Sequence, residues 1–133
     1  MRPCTFRIRE LKLQPDRIEG VNVISGLTAT TVSVNGVEHA NSIVIPWVGD
    51  IGPWGTAGFD ALSAADFDGL VEYGPELVIF GSGVRIRFAP PMLLRKLMAH
   101  RIGIETMDTR AACRTYNVLA GESRKVVAAL LLG

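Results

Sequence analysis

Cysteine, histidine and long apolar runs are what this sequence has least of. Cys4 and Cys113 are its only thiols, and His39 and His100 its only imidazoles. Two cysteines make no disulfide framework. Neither has a second cysteine or a histidine at ligand spacing, so no zinc pattern is present and no metal is expected. Unpaired thiols suit a reducing compartment. No run of about 18 apolar residues occurs, so no stretch has the composition of a membrane-spanning helix. The first ten residues carry Arg2, Arg7 and Arg9 without an apolar core, so no secretory signal is expected there, and Glu10, Asp16 and Glu19 interrupt any basic import segment. The expected location is the bacterial cytoplasm, or the mitochondrion if the source is eukaryotic.

Basic residues are also missing from a long internal stretch. Between Arg17 and Arg85 there is no Lys or Arg, while Glu19, Glu38, Asp50, Asp60, Asp66, Asp68, Glu72 and Glu76 fall there. Beyond it stand Arg85, Arg87, Arg95, Lys96, Arg101, Arg110, Arg114, Arg124 and Lys125, against Glu105, Asp108 and Glu122. An acidic middle thus precedes a basic C-terminal part. Either the two offset each other within the fold, or the basic part faces an anionic ligand or an acidic partner. The net charge is only +1, and no nucleic acid is expected.

What is present is ample core material. With 48% hydrophobic and 20% charged residues over 133 positions, the chain suits one ordinary domain, residues 1–133, with no long linker and no internal repeat. The first twenty residues mix charged and apolar positions and read as a strap or edge strand. Residues 21–34 are rich in β-branched side chains. Asn35 and Gly36 follow, a hairpin turn signal because both tolerate positive φ. Residues 42–45 read as another strand, stopped by Pro46. Residues 47–57 hold both tryptophans among glycines and read as a loop. Trp54 there either fills the mouth of the core or anchors a partner. Residues 1–58 therefore form a mainly antiparallel β region.

Residues 59–133 read as a helix followed by β-α-β-α-β. Ser63 caps the first helix, with Ala64, Phe67, Leu70 and Val71 on one stripe, and Gly74 with Pro75 ends it. Residues 76–80 are apolar at nearly every position, as in a strand covered on both faces. After Gly81, Ser82 and Gly83, residues 84–88 alternate, which predicts a strand whose Arg85 and Arg87 project together, opposite Val84, Ile86 and Phe88. Pro90 and Pro91 open a helix with Leu93, Leu94, Leu97 and Met98 as its buried stripe. Residues 104–107 form a strand, Asp108 or Thr109 caps a helix running to about Ala120, and residues 126–132 form the last strand. The predicted class is α/β: an N-terminal antiparallel β region packed with a β-α-β-α-β unit, in three layers with a mixed sheet.

In parallel sheets ligands gather at the C-terminal strand ends. Gly81, Ser82 and Gly83 with Arg85 and Arg87, and Asp108, Thr109 and Arg110, are predicted to meet there. Glycine N–H groups and guanidiniums would suit an anionic small molecule. The alternative is a tight turn, since Gly-Ser-Gly lacks the third glycine of a dinucleotide loop and the Lys-Ser/Thr of a phosphate loop. Cys113 lacks a neighbouring base and reads as a small core residue. No catalytic set is assembled locally, and no cofactor motif is present. Arg114, Thr115, Tyr116 and Asn117 put a cation, a hydroxyl, a phenol and an amide on one helical turn. Tyr116 falls on the buried stripe, its hydroxyl seeking a partner.

These segments carry a resemblance. Glu76 to Gly83 (Glu-Leu-Val-Ile-Phe-Gly-Ser-Gly), Pro90 and Pro91, Gly103 to Thr109 (Gly-Ile-Glu-Thr-Met-Asp-Thr), Ala112, Arg114 to Asn117, Leu119, Glu122 and the Val-Val-Ala-Ala-Leu stretch ending at Leu130 resemble the domain-of-unknown-function family 498. That family includes a mitochondrial complex I assembly factor and many uncharacterised bacterial and archaeal proteins. The hairpin at Asn35 and Gly36, residues 43–47 and residues 62–70 match in order. Gly-Ser-Gly stands where the family more usually has Gly-Thr-Gly. The resemblance implies a β region packed with a small α/β unit and provides no catalytic residues. It implies a binding or assembly module working through an unidentified protein partner. The charge pattern and the aromatic loop make the basic C-terminal segment and the loop between Trp47 and Trp54 the expected interface of such a non-enzymatic module.

Overall fold

The computed structural model describes residues 20–133. The strap or edge strand expected over the first twenty residues, and Cys4, lie outside the described residues apart from Gly20. Strands β1 (Ile24–Leu27), β2 (Val32–Val34) and β3 (Val37–His39) form an antiparallel sheet in that order. The Asn35 and Gly36 hairpin is where the sequence places it. Val34 pairs with Val37 across it, and both turn residues have positive φ, 54° and 84°. Strand β4 (Ile43–Pro46) includes Pro46 rather than stopping before it. The tryptophan-bearing loop contains a two-residue strand, β5 (Gly52–Pro53), paired with β4.

Helix α1 (Ala64–Asp68) begins at Ser63, whose N–H donates to Asp66 Oδ2 at 2.9 Å. It tightens into a 3₁₀ segment, Gly69–Tyr73, and closes at Gly74 with φ 66°. Phe67 and Leu70 are buried as expected, whereas Ala64 is exposed. Strand β6 (Leu77–Gly81), helix α2 (Arg95–Ala99), strand β7 (Gly103–Met107), helix α3 (Thr109–Gly121) and strand β8 (Val126–Leu130) complete the order. The second sheet runs β5-β4-β8-β6-β7, with β6 parallel to both β7 and β8 and β4 antiparallel to β8. It is therefore mixed, as predicted, and the three C-terminal strands run side by side in one direction.

Two further local expectations are overturned. Residues 84–88 form no strand. β6, which leads into them, is already paired on both sides, so its continuation has no free ladder to join. The buried helix stripe that was to include Met98 also fails there, because Met98 is exposed. The proline start produces a 3₁₀ turn, Pro91–Leu94, before α2, and the change in residues per turn rotates Met98 outward.

The core lies in two layers on either side of the five-stranded sheet. Alternation along the strands sends Ile43, Ile45, Ile79, Val126, Ala128 and Leu130 toward α3 and the three-stranded sheet. Val44, Val78, Phe80, Val127 and Ala129 face the other way, toward Trp54, Phe67, Leu70 and Leu97. Trp54 meets Phe67 and Phe80 edge to face at 5.4 and 5.9 Å between centroids, and its Nε1 donates to the Asp66 carbonyl at 2.9 Å. The indole thus packs as a core residue.

Tyr116 and Asn117 join α3 to the N-terminal part of the chain. The buried Tyr116 hydroxyl lies 2.9 Å from the Asn22 carbonyl and 3.2 Å from that of Pro46. Asn117 accepts from the Ile24 N–H at 2.9 Å and donates to the Ile24 carbonyl at 2.8 Å. Asn22 in turn donates to the carbonyls of Pro46 and Gly49.

Candidate functional site

The parallel strands β7, β6 and β8 end level with one another, since Gly81 pairs with both Met107 and Leu130. What happens just beyond that edge is decided by two glycines. A Cβ on Gly81 would lie 2.9 Å from Leu130 Cδ2 and 3.1 Å from Thr109 Cα, so only glycine lets the first turn of α3 sit against the strand. Gly83 has φ 107°, and a Cβ there would lie 2.8 Å from the Gly133 carbonyl oxygen.

Ser82 and Thr109 lock this edge. The buried Ser82 hydroxyl donates to the Arg85 carbonyl at 2.8 Å and accepts the Arg87 N–H at 2.9 Å, while its own N–H donates to Met107. Thr109 Oγ1 donates to the Leu131 carbonyl at 2.6 Å and accepts from Gly83 N–H at 2.9 Å, and Thr109 N–H donates to Gly83 O at 2.8 Å. Of the two capping candidates, Asp108 is the cap: its carboxylate accepts from Ala111 N–H at 2.9 Å. Most donors that the sequence offers to an anion are thus bonded within the protein.

A half-open cavity of about 430 Å³ lies over the edge, with Leu27, Thr28, Gly83, Asp108, Thr109 and Arg110 among its walls. The structure therefore gathers Gly83, Asp108, Thr109 and Arg110. Gly81 and Ser82 lie buried and do not line it. Arg85 and Arg87 do not line it either, and they do not project together. Arg85 is exposed, whereas the Arg87 guanidinium donates to Ser82 O at 3.2 Å and lies over the Phe59 ring at 4.4 Å. Its buried Nε finds no acceptor, so the ring and one carbonyl hold this side chain. Arg114 is on the exposed side of α3, and Tyr116 and Asn117 are engaged with Asn22, Pro46 and Ile24 as described.

Burial pushes the Cys113 thiol up to about 11, with Arg110 and Arg114 opposing weakly, so it is not primed as a nucleophile at neutral pH. Burial likewise raises the Tyr116 phenol. Among the described residues no cluster of His, Cys, Asp and Glu has the makings of a metal site. Among them, too, no helix is long and apolar enough to cross a membrane.

One surface went unread in the sequence. Val84, Ile86, Phe88 and Met92 are exposed, although alternation placed the first three together on the strand face opposite Arg85 and Arg87. The available signal was the bracketing of the segment by Gly83 and by Pro90 and Pro91. Asn22 carried no signal in the sequence, because its partners at Pro46 and Gly49 are distant in the chain.

The chain is similar to known proteins in sequence and in fold. Over 80 residues the chain is 31% identical to the Bos taurus "NADH dehydrogenase [ubiquinone] 1 alpha subcomplex assembly factor 3", a match covering 59% of this chain and 44% of that protein. It is 41% identical over 80 residues to an uncharacterised Rhodobacter capsulatus protein, covering 59% of this chain and 60% of the other. These matches span less than two thirds of either curated relative. A crystal structure of a Bordetella parapertussis protein superposes with a TM-score of 0.81 at 30% identity, covering 88% of this chain and 100% of that one. The pattern of one family matches residues 24–131, from the first residue of β1 to the residue after β8, and the chain belongs to that family, the proteins of unknown function DUF498/DUF598.

Proposed function

We propose that this chain is a non-enzymatic binding module that acts through protein contacts, in the assembly of a respiratory NADH dehydrogenase and within the compartment where its subunits mature. The observation that carries the reading is the locked edge. Where an α/β enzyme would present free donors and a reactive group, Ser82, Gly83 and Thr109 are bonded to the protein's own backbone and side chains. The likeness to an assembly factor favours the same reading. The contact surface is the outer side of α3, where Arg110, Arg114 and Val118 recur every fourth residue and are exposed. The two neighbouring cations suit an acidic partner.

The test is affinity capture of the tagged chain from its native cells, followed by identification of what co-purifies. A NADH dehydrogenase subunit or assembly intermediate is expected, and Arg110→Glu with Arg114→Glu removes it at unchanged melting temperature. Capture that returns nothing above background overturns the reading.

The cavity favours a second reading, an anionic small molecule held beside Arg110. Its volume of about 430 Å³ lies within the range of ligand pockets. A screen of phosphorylated and carboxylated metabolites by thermal shift tests it. A ligand at 100 times its Kd adds about 2.7 kcal/mol, and Arg110→Gln removes the shift. A full screen without a shift rejects it.

A further inference from the structure

The segment between β6 and β7 combines two features found together nowhere else among the described residues. From Glu76 to Glu105 there is no acidic residue, while Arg85, Arg87, Arg95, Lys96 and Arg101 all fall in that interval. In the same interval large apolar side chains stand in solvent: Val84 is 80% exposed, Ile86 52%, Phe88 74%, Met92 66% and Met98 54%. The remaining exposed large apolar side chains among the described residues, Val37, Val48 and Val118, are far apart in sequence.

The backbone that carries these side chains is tied down. Ser82 holds the Arg85 carbonyl and the Arg87 N–H, Arg87 lies over Phe59, and Ala89 is buried. Pro90 and Pro91 then fix the approach to α2. The apolar tips are thus presented by a fixed loop. Contiguous exposed apolar surface marks a contact site for protein or membrane. The charge among the apolar tips decides between the two. A protein partner would have to bury Arg85, Arg95, Lys96 and Arg101, all exposed and with no acidic residue between Glu76 and Glu105 to pair them, and interface centres are depleted of charge. The boundary of an anionic bilayer accepts both at once, because apolar side chains reach the acyl region while Arg and Lys stay at the headgroups. Single-sign charge without an acid matches the negative potential of such a surface.

We propose that residues 84–101 form a membrane-surface contact that seats on anionic phospholipid. Val84, Ile86, Phe88 and Met92 enter the acyl boundary, and Arg85, Arg95, Lys96 and Arg101 meet the headgroups. The contact is interfacial, since an irregular backbone does not enter hydrocarbon unpaired. It goes beyond the assembly reading and does not depend on the outer side of α3.

The experiment is co-sedimentation of the full chain with phosphatidylcholine vesicles and with mixed phosphatidylcholine–phosphatidylglycerol vesicles at low and high salt. The wild type pellets with the mixed vesicles, binds phosphatidylcholine alone at least ~10-fold more weakly, and is released in part by salt. Ile86→Ser with Phe88→Ser abolishes binding, and Arg95→Glu with Lys96→Glu weakens it by at least ~10-fold, both at unchanged melting temperature. Val118→Ser changes nothing. The proposal is overturned if the wild type stays in the supernatant with mixed vesicles at low salt, or if the Ile86/Phe88 variant still pellets. A variant that loses a captured protein while the wild type ignores vesicles assigns the loop to a protein partner and equally overturns it. Loss of partner capture through Arg110 and Arg114 variants with vesicle binding intact separates this contact from the assembly reading.

Discussion

On one side of β8, Val126, Ala128 and Leu130 meet α3 and the three-stranded sheet; on the other, Val127 and Ala129 meet the cluster around Trp54, Phe67 and Phe80. The first side is stitched by polar groups: the Tyr116 hydroxyl, the Asn117 amide and Asn22 each reach backbone far along the chain. The second is held by rings in edge-to-face contact, with the Trp54 indole N–H donating to the Asp66 carbonyl. The polar side specifies which segments meet, because a buried polar group left without a partner at hydrogen-bonding distance is costly. The aromatic side supplies bulk burial, where shape matters more than identity.

The comparison is broken most severely at Phe67. It is fully buried, so Phe67→Ala leaves a cavity and is expected to cost about 3–5 kcal/mol in chemical denaturation, whereas Phe67→Leu costs clearly less. On the polar side Tyr116→Phe keeps the ring and strips the hydroxyl from the Asn22 and Pro46 carbonyls, for an expected loss of about 1–3 kcal/mol. If Tyr116→Phe proved neutral, the polar side would be packing alone and the contrast would disappear.

Smaller effects come from titration. The folded pKa of Cys113 lies above the free-thiol value of 9.0, so the preference for the neutral thiol is complete below about pH 9 and is lost as pH rises through about 11. In a Cys4→Ser background, a thiol reagent should modify native Cys113 far more slowly at pH 8 than the denatured chain. The weakest effect is at the surface. Glu76 is held below its usual 4.5, first by the hydrogen bond from Arg124 and then by that from the Lys125 N–H. Its contribution is present above about pH 4.5 and is lost as pH falls through the lowered value. Both side chains are open to solvent, so Glu76→Gln should leave the melting temperature at neutral pH nearly unchanged.

The parallel strands were readable in the sequence because apolar runs such as residues 77–80 and 126–131 carry their own length and boundaries. The α3 cap and the Asn35 and Gly36 turn were readable because each acts within a few residues. Residues 84–88 misled because alternation reports side-chain direction along an extended chain and cannot report whether a ladder is free to receive it. At the candidate site, the meeting of Gly83 with Asp108, Thr109 and Arg110 followed from parallel order. That Thr109 and Ser82 would close the edge did not, because their partners at Leu131 and Met107 are fixed only once the strands align. Nor could the partners of Tyr116 and Asn117, some ninety positions upstream, be named from one helical turn.

Asn117 has one further effect. A carboxamide offers a donor and an acceptor side by side, as a neighbouring strand residue does, and here it occupies both main-chain groups of Ile24. The outer margin of β1 is therefore already answered at that rung by a side chain, and a second molecule finds no vacant pair there on which to add itself. The amide that fastens the helix thus also caps that rung of the small sheet's β1 edge.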